Sequence, residues 1–192
     1  MAALVAASQD PDFPAHIVSV IADKLDAAGL EHARDQGIEA VAVPRRDYAS
    51  KAEHEAAVIA AIEASGARIV ALAGYMRLLS ADFVRRYAGR MINIHPSLLP
   101  AFPGLATHER ALAAGCRVHG CTVHFVTEAM DEGPIIEQEA VRVERDDTPE
   151  TLAARVLAAE HRTYPRALAM LARGEVRMGG DGRTLYEARP GD

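Results

Sequence analysis

Short apolar runs rich in β-branched residues alternate along this chain with stretches whose apolar residues recur at helical spacing, and few folds accommodate that alternation. Residues 16–23 (HIVSVIAD) read as a strand, residues 26–37 (DAAGLEHARDQG) as a helix stopped by Gly37, and residues 38–44 (IEAVAVP) as the next strand. Ser50 or a neighbour is placed to cap a helix of good helix formers that runs to Gly66. Residues 67–74 (ARIVALAG) then return as a continuous apolar run suited to a central parallel strand. Ser80 caps a further helix that ends at Gly89, and MINIH, residues 91–95, follows as a strand. The expectation is an α/β fold, a mostly parallel sheet flanked by helices.

The second half changes character. Residues 119–126 (HGCTVHFV) and 134–143 (PIIEQEAVRV) alternate as strands joined by the loop TEAMDEG, which reads as an antiparallel pair. Thr148 as N-cap and Pro149 at the first helical position open a long helix with Leu152, Val156 and Leu157 on one face; Pro165 is expected to kink or interrupt it. The Gly-rich tail from Gly179 supports a short hairpin at most. At the other end, MAALVAASQDPDFPA is a helical pattern that stops at Pro11, so the strand and phosphate-binding turn that open many doubly wound sheets are not encoded.

A chain of 192 residues that is 49% apolar supports one domain with a full core. Its 21 Lys and Arg against 27 Asp and Glu leave a net charge of −6, which argues against general nucleic-acid binding. No apolar run is long enough for a membrane span and no signal peptide is evident, so a cytoplasmic protein without a membrane partner is expected. Cys116 and Cys121 fit neither a paired zinc pattern nor a disulfide scaffold and read as reduced, partly buried thiols.

Three side chains offer chemistry. The amide of Asn93 can donate to a carbonyl oxygen that is becoming an oxyanion. His95 lies two residues on, hence on the same face of a strand, and can act as acid or base near neutral pH. Asp131, in MDEGP, would favour the imidazolium if it reached His95. There is no nucleophile elbow, H-E-x-x-H or Walker A pattern, which favours direct acyl transfer without a covalent enzyme intermediate. Spacing alone leaves plainer roles open: a His before Pro96 that bonds a backbone carbonyl, an Asn that satisfies a turn, an Asp that caps one. His16, His32, His54, His119 and His161 read as surface or packing residues, with His108 and His124 left open, and no metal-ligand cluster is evident. On pattern alone Glu160 belongs to a solvated helix face, and Met76, Leu78 and Leu79 to the core.

The segments LAGYMRLLS, INIHPSLLPAFPG, HFVTEAMDEGPII and AAEHRTYP, in this order and spacing, resemble the folate-dependent formyltransferases across essentially the whole chain, most closely those acting on glycinamide ribonucleotide in purine biosynthesis. The resemblance implies a Rossmann-like formyltransferase fold with an antiparallel C-terminal extension. It implies 10-formyltetrahydrofolate as co-substrate, no metal, and a monomer or weak homodimer. Asn93, His95 and Asp131 would be catalytic, with Asn93 and His95 on the oxyanion and Asp131 holding His95 protonated. The folate pocket would draw on Lys51, Met76, Arg77, Leu78, Leu79, Asn93, Thr127, Glu128, Ala129, Met130 and Asp131. Leu157, Ala158, Ala159 and Glu160 would hold the ribonucleotide.

Methionyl-tRNA formyltransferases carry an added C-terminal domain and formyltetrahydrofolate deformylases a preceding regulatory one, for which this length leaves no room. Ala106 stands where the family often has His, and Lys51 where it often has Arg. Family members also open with a strand and a Gly-x-Gly-Ser-Asn loop for the substrate phosphate; Met1 aligns just after that loop, so an N-terminally truncated formyltransferase domain is expected, with weakened grip on the phosphate. The alternatives are a truncated, catalytically impaired folate-binding module, or another formyltetrahydrofolate-dependent transferase or deformylase.

Overall fold

The computed structural model describes residues 1–187. Among these residues six α-helices and eight strands occur in the order α1 (Ala2–Ala7), β1 (Ser19–Ala22), α2 (Ala28–Asp35), β2 (Glu39–Ala42), α3 (Lys51–Ala64), β3 (Val70–Leu72), α4 (Ala81–Arg86), β4 (Met91–His95), α5 (Thr107–Ala113), β5 (Val118–Phe125), β6 (Ile135–Arg142), α6 (Pro149–Arg173), β7 (Val176–Met178) and β8 (Thr184–Tyr186). The caps legible in the sequence form as expected. Ser50 accepts from the Glu53 N–H, Ser80 from Phe83 and Thr148 from Thr151, each satisfying a donor that the first helical turn leaves unpaired.

The strands form a mixed parallel and antiparallel arrangement flanked by helices. β1 pairs parallel with β2; β3 pairs parallel with β4, which continues antiparallel through β5 to β6. Among the described residues these two sheets share no ladder, so β1 and β3 each have a strand partner on one side only. The run at residues 67–74, expected as a full central strand, accordingly narrows to the three residues that lie opposite β4 and is only half-buried. Side chains still bridge the division: Ile21 of β1 packs against the same core cluster as Val70 and Leu72 of β3.

Helix α6 covers one face of the larger sheet. Its Tyr164, Ala167 and Leu168 join Ile92, Val123 and Phe125 in one buried cluster, and its Leu152, Val156 and Ala159 join Cys121, Val141 and Val143 in another. The Tyr164 hydroxyl lies 2.7 Å from the Leu72 carbonyl and 3.1 Å from that of Ile92, at the seam between β3 and β4. Two expectations for this helix need correction. Pro165 does not interrupt it, because the core contacts on both sides of the missing hydrogen bond hold the segment helical. Leu157 is not on the buried face with Leu152 and Val156: it is 49% exposed, since one more residue turns the helix about 100° away from Val156.

Cys121 is fully buried, which pushes its thiol up to about 11, and both cysteines are free. Residues 176–186 form the short terminal hairpin, while the tail beyond Glu187 lies outside the described residues. Among the described residues no helix is long and apolar enough to cross a membrane.

Candidate active site

The site is built at the carboxyl end of β4. Asn93 and His95 alternate onto one face, and the antiparallel register sets Asn93 opposite His124 and His95 opposite Thr122 of β5. His124 Nδ1 lies 2.9 Å from the Phe125 carbonyl oxygen and, as the donor there, leaves Nε2 as the acceptor. Burial pushes the His124 pKa below its ordinary value, which keeps the ring neutral. The Asn93 Nδ2 group stands 3.4 Å from that Nε2, so His124 fixes the amide with its NH₂ end inward. The second N–H of Asn93 meets no protein acceptor among the described residues and remains for an external oxygen.

His95 is gripped on two sides. Its Nε2 donates to the Phe102 carbonyl at 3.0 Å, and its Nδ1 faces Asp131 Oδ2 at 3.5 Å. Asp131 Oδ2 also accepts from the Gly104 N–H at 2.8 Å, while Oδ1 is 3.9 Å from His124 Nε2. That last separation is beyond hydrogen-bond range, and with His124 neutral it is a polar neighbour, not an ion pair. The plainer role anticipated for His95, a bond to a backbone carbonyl, therefore coexists with the carboxylate contact.

Asp131 arrives from a distant loop that has to lie very close to β5. Gly133 makes this approach feasible, because a Cβ there would stand 1.7 Å from the Phe125 carbonyl oxygen. Asp131 itself adopts a left-handed backbone at φ 56°, as do Phe102 at 54° and Ala106 at 55°. Among the described residues, all three non-glycine residues in this sparsely populated region belong to the loops around His95, the kind of strain that collects at functional sites. Behind them, His108 and His119 pack edge to face at 5.3 Å, and burial lowers the pKa of both.

Other anticipated residues are spread around this centre. Arg77 pairs with Asp23 at 2.6 Å and Lys51 with Glu55 at 3.7 Å, so both cations are held by carboxylates of the protein. Met76 and Leu78, which pattern alone would have put in the core, are 76% and 68% exposed, whereas Leu79 packs against the core. In the Asp131 loop, Thr127 donates to the Ala129 carbonyl, Glu128 pairs with Arg85, and exposed Met130 sits beside Gly104. On α6, Leu157 and Ala158 are exposed, Ala159 is buried against the core, and half-buried Glu160 lies near the amino group of Met1. Burial pushes the Glu160 carboxyl up, with that amino group opposing. His124 is the functional neighbour the sequence left open; alternation gave its face, and only the register gave its partner. Among the described residues no group of three or more His, Cys, Asp and Glu is placed to hold a metal.

The family model described as formyl transferase matches residues 1–168, a span that includes all of Asn93, His95, His124 and Asp131. The chain belongs to the formyl transferase family. It is 48% identical over 184 residues to the trifunctional purine biosynthetic protein adenosine-3 of Bos taurus, covering 96% of this chain but only 18% of that protein. It is 43% identical to the phosphoribosylglycinamide formyltransferase of Escherichia coli (strain K12), covering 83% of this chain and 76% of that one. The solved structure of glycinamide ribonucleotide transformylase 1 from Symbiobacterium toebii superposes with a TM-score of 0.92 at 44% identity, covering 97% of this formyl transferase and 87% of that chain.

Proposed function

We propose that this formyl transferase moves the formyl group of 10-formyltetrahydrofolate directly onto the amine of glycinamide ribonucleotide. The convergence of Asn93, His95 and Asp131 at one strand end carries the reading, and the names of the bovine, E. coli and Symbiobacterium relatives supply the substrate class. The amine attacks the formyl carbon, forming a C–N bond, and the carbonyl oxygen takes up charge that the second Asn93 N–H stabilises, with His95 beside it on the same face of β4. Collapse breaks the bond to folate N10; the attacking nitrogen loses one proton and N10 gains one. Asp131 serves as the carboxylate that faces His95 and assists this transfer.

The surroundings fit a flat, partly apolar co-substrate: Met76, Leu78 and Met130 leave large apolar side chains exposed on two loops beside the site. Glu160, half-buried on α6, is a suitable acceptor for the glycinamide and ribose end. The test is a formyl-transfer assay in which the nucleotide is omitted or supplied. Product that depends on glycinamide ribonucleotide is expected. Release of formate to water without it would indicate a deformylase, and folate binding without either product would indicate a binding module.

The single-sided pairing of β1 and β3 favours a second reading, in which a further extended segment seats between the two sheets and contributes backbone N–H groups for the substrate phosphate. A form extended ahead of Met1 by such a segment would then melt at higher temperature and show a lower KM for the ribonucleotide, with KM for folate little changed. Equal values in the two forms would dismiss it.

A further inference from the structure

The loop that grips His95 has two unequal halves. Residues 97–101 are tied firmly to the sheet: the Ser97 carbonyl accepts from Thr122 Oγ1, the Leu99 N–H donates to that same oxygen, and the Leu99 carbonyl accepts from Gln138. Among the described residues, 102–105 make no backbone–backbone hydrogen bond of the loop or turn kind, yet they carry both groups that orient the catalytic pair, the Phe102 carbonyl on His95 and the Gly104 N–H on Asp131. They do so with left-handed backbone at Phe102 and, just beyond, Ala106, a conformation that in a non-glycine residue needs support from outside.

That support comes from one exposed side chain on α5. Arg110 Nη1 donates to the Pro103 carbonyl at 2.5 Å and to the Leu105 carbonyl at 3.2 Å, and its guanidinium lies 5.5 Å from the centre of the Phe102 ring. Among the described residues the Arg110 side chain forms no ion pair, and its hydrogen bonds and aromatic contact go to this segment. The planar, fixed fork of Arg suits two carbonyls and an aromatic face together, whereas the point charge of Lys serves only part of that set.

We propose that Arg110 is a positioning residue for formyl transfer: it clamps residues 102–105 so that the Phe102 carbonyl and the Gly104 N–H hold His95 and Asp131 in reacting geometry. This rests on the reading of His95 and Asp131 as the catalytic pair. Loss of the clamp lets the segment relax, loosens the acceptor that orients the His95 ring, and leaves the substrate-binding loops in place.

Arg110→Gln and Arg110→Lys are compared with the parent and with Arg117→Gln, an arginine away from the site. For Arg110→Gln, kcat falls about tenfold, below the roughly 10²-fold that a 1 Å misplacement can cost, while KM for folate changes less than twofold. Its kcat–pH profile shifts, Arg110→Lys recovers part of the loss, and Arg117→Gln matches the parent. Nitrogen-15 shifts of the His95 ring, which need no turnover, change in Arg110→Gln. An unchanged pH profile and unchanged His95 shifts overturn the proposal, even if the variant is less stable. A parent without transfer activity defeats the catalytic reading instead, and the His95 shifts still decide whether the clamp exists.

Discussion

Replacing Gly133 with alanine puts a Cβ 1.7 Å from the Phe125 carbonyl oxygen, 2.8 Å from its carbon and 3.3 Å from His124 Nδ1. Real Cβ contacts essentially never fall below 3.0 Å, so backbone on one side must retreat by more than 1 Å, and neither side is a flexible side chain that can swing away. The struck carbonyl is the partner of His124 Nδ1, and the Phe125 N–H bonds the carbonyl of Pro134, next to the substitution. A retreat therefore disturbs the His124 ring that orients Asn93 and the loop that presents Asp131, two residues upstream. Overpacking of this kind costs about 1–3 kcal/mol, which for a chain this size corresponds to a melting temperature lower by roughly 2–12 °C. Displacement of reacting groups by 1 Å can cost about 10²-fold in rate. Gly133→Ala should accordingly remain folded at 25 °C in a thermal melt while its kcat for formyl transfer drops by about two orders of magnitude. A variant with the parent's melting temperature and kcat within twofold would show that the close approach of this loop to β5 does not set the site.

Further outcomes follow from other contacts. Tyr164→Phe removes the buried hydroxyl that meets the Leu72 and Ile92 carbonyls; a loss of about 1–2 kcal/mol in urea unfolding is expected, and an unchanged midpoint would mean the carbonyls are satisfied elsewhere. His119 and His124 are almost fully buried, which lowers both pKa values in the folded state, while the unfolded chain takes up protons below about pH 6.5. The stability they allow is therefore complete above about pH 6.5 and declines as pH falls, by at most roughly 1.4 kcal/mol per pH unit for each ring; urea midpoints that stay level between pH 7.5 and 5.5 would contradict this. Asp131→Asn keeps an acceptor near Gly104 but removes the charge facing His95, so turnover should fall and its pH profile shift more than folate affinity weakens. Unchanged turnover would remove Asp131 from the chemistry.

What the sequence determined by itself was local. The caps at Ser50, Ser80 and Thr148, the stop at Gly37 and the strand MINIH follow from hydrogen bonds and side-chain periodicities that close within a few residues, so their pattern survives in one dimension. The common face of Asn93 and His95 follows from strand alternation in the same way, and the spacing of the motifs carried the likeness to formyl transferases. Tertiary structure decided what depends on approach between distant segments. It settled the ring opposite Asn93, the carbonyl that holds Nε2 of His95, the exposure of Met76 and Leu78, and the burial of Ala159 beside exposed Ala158. The first two are not encoded by periodicity, because they depend on the β4–β5 register, a near-contact allowed by Gly133 and a left-handed loop. Local propensities choose the elements, but the packing of side chains far apart in sequence chooses how the elements meet.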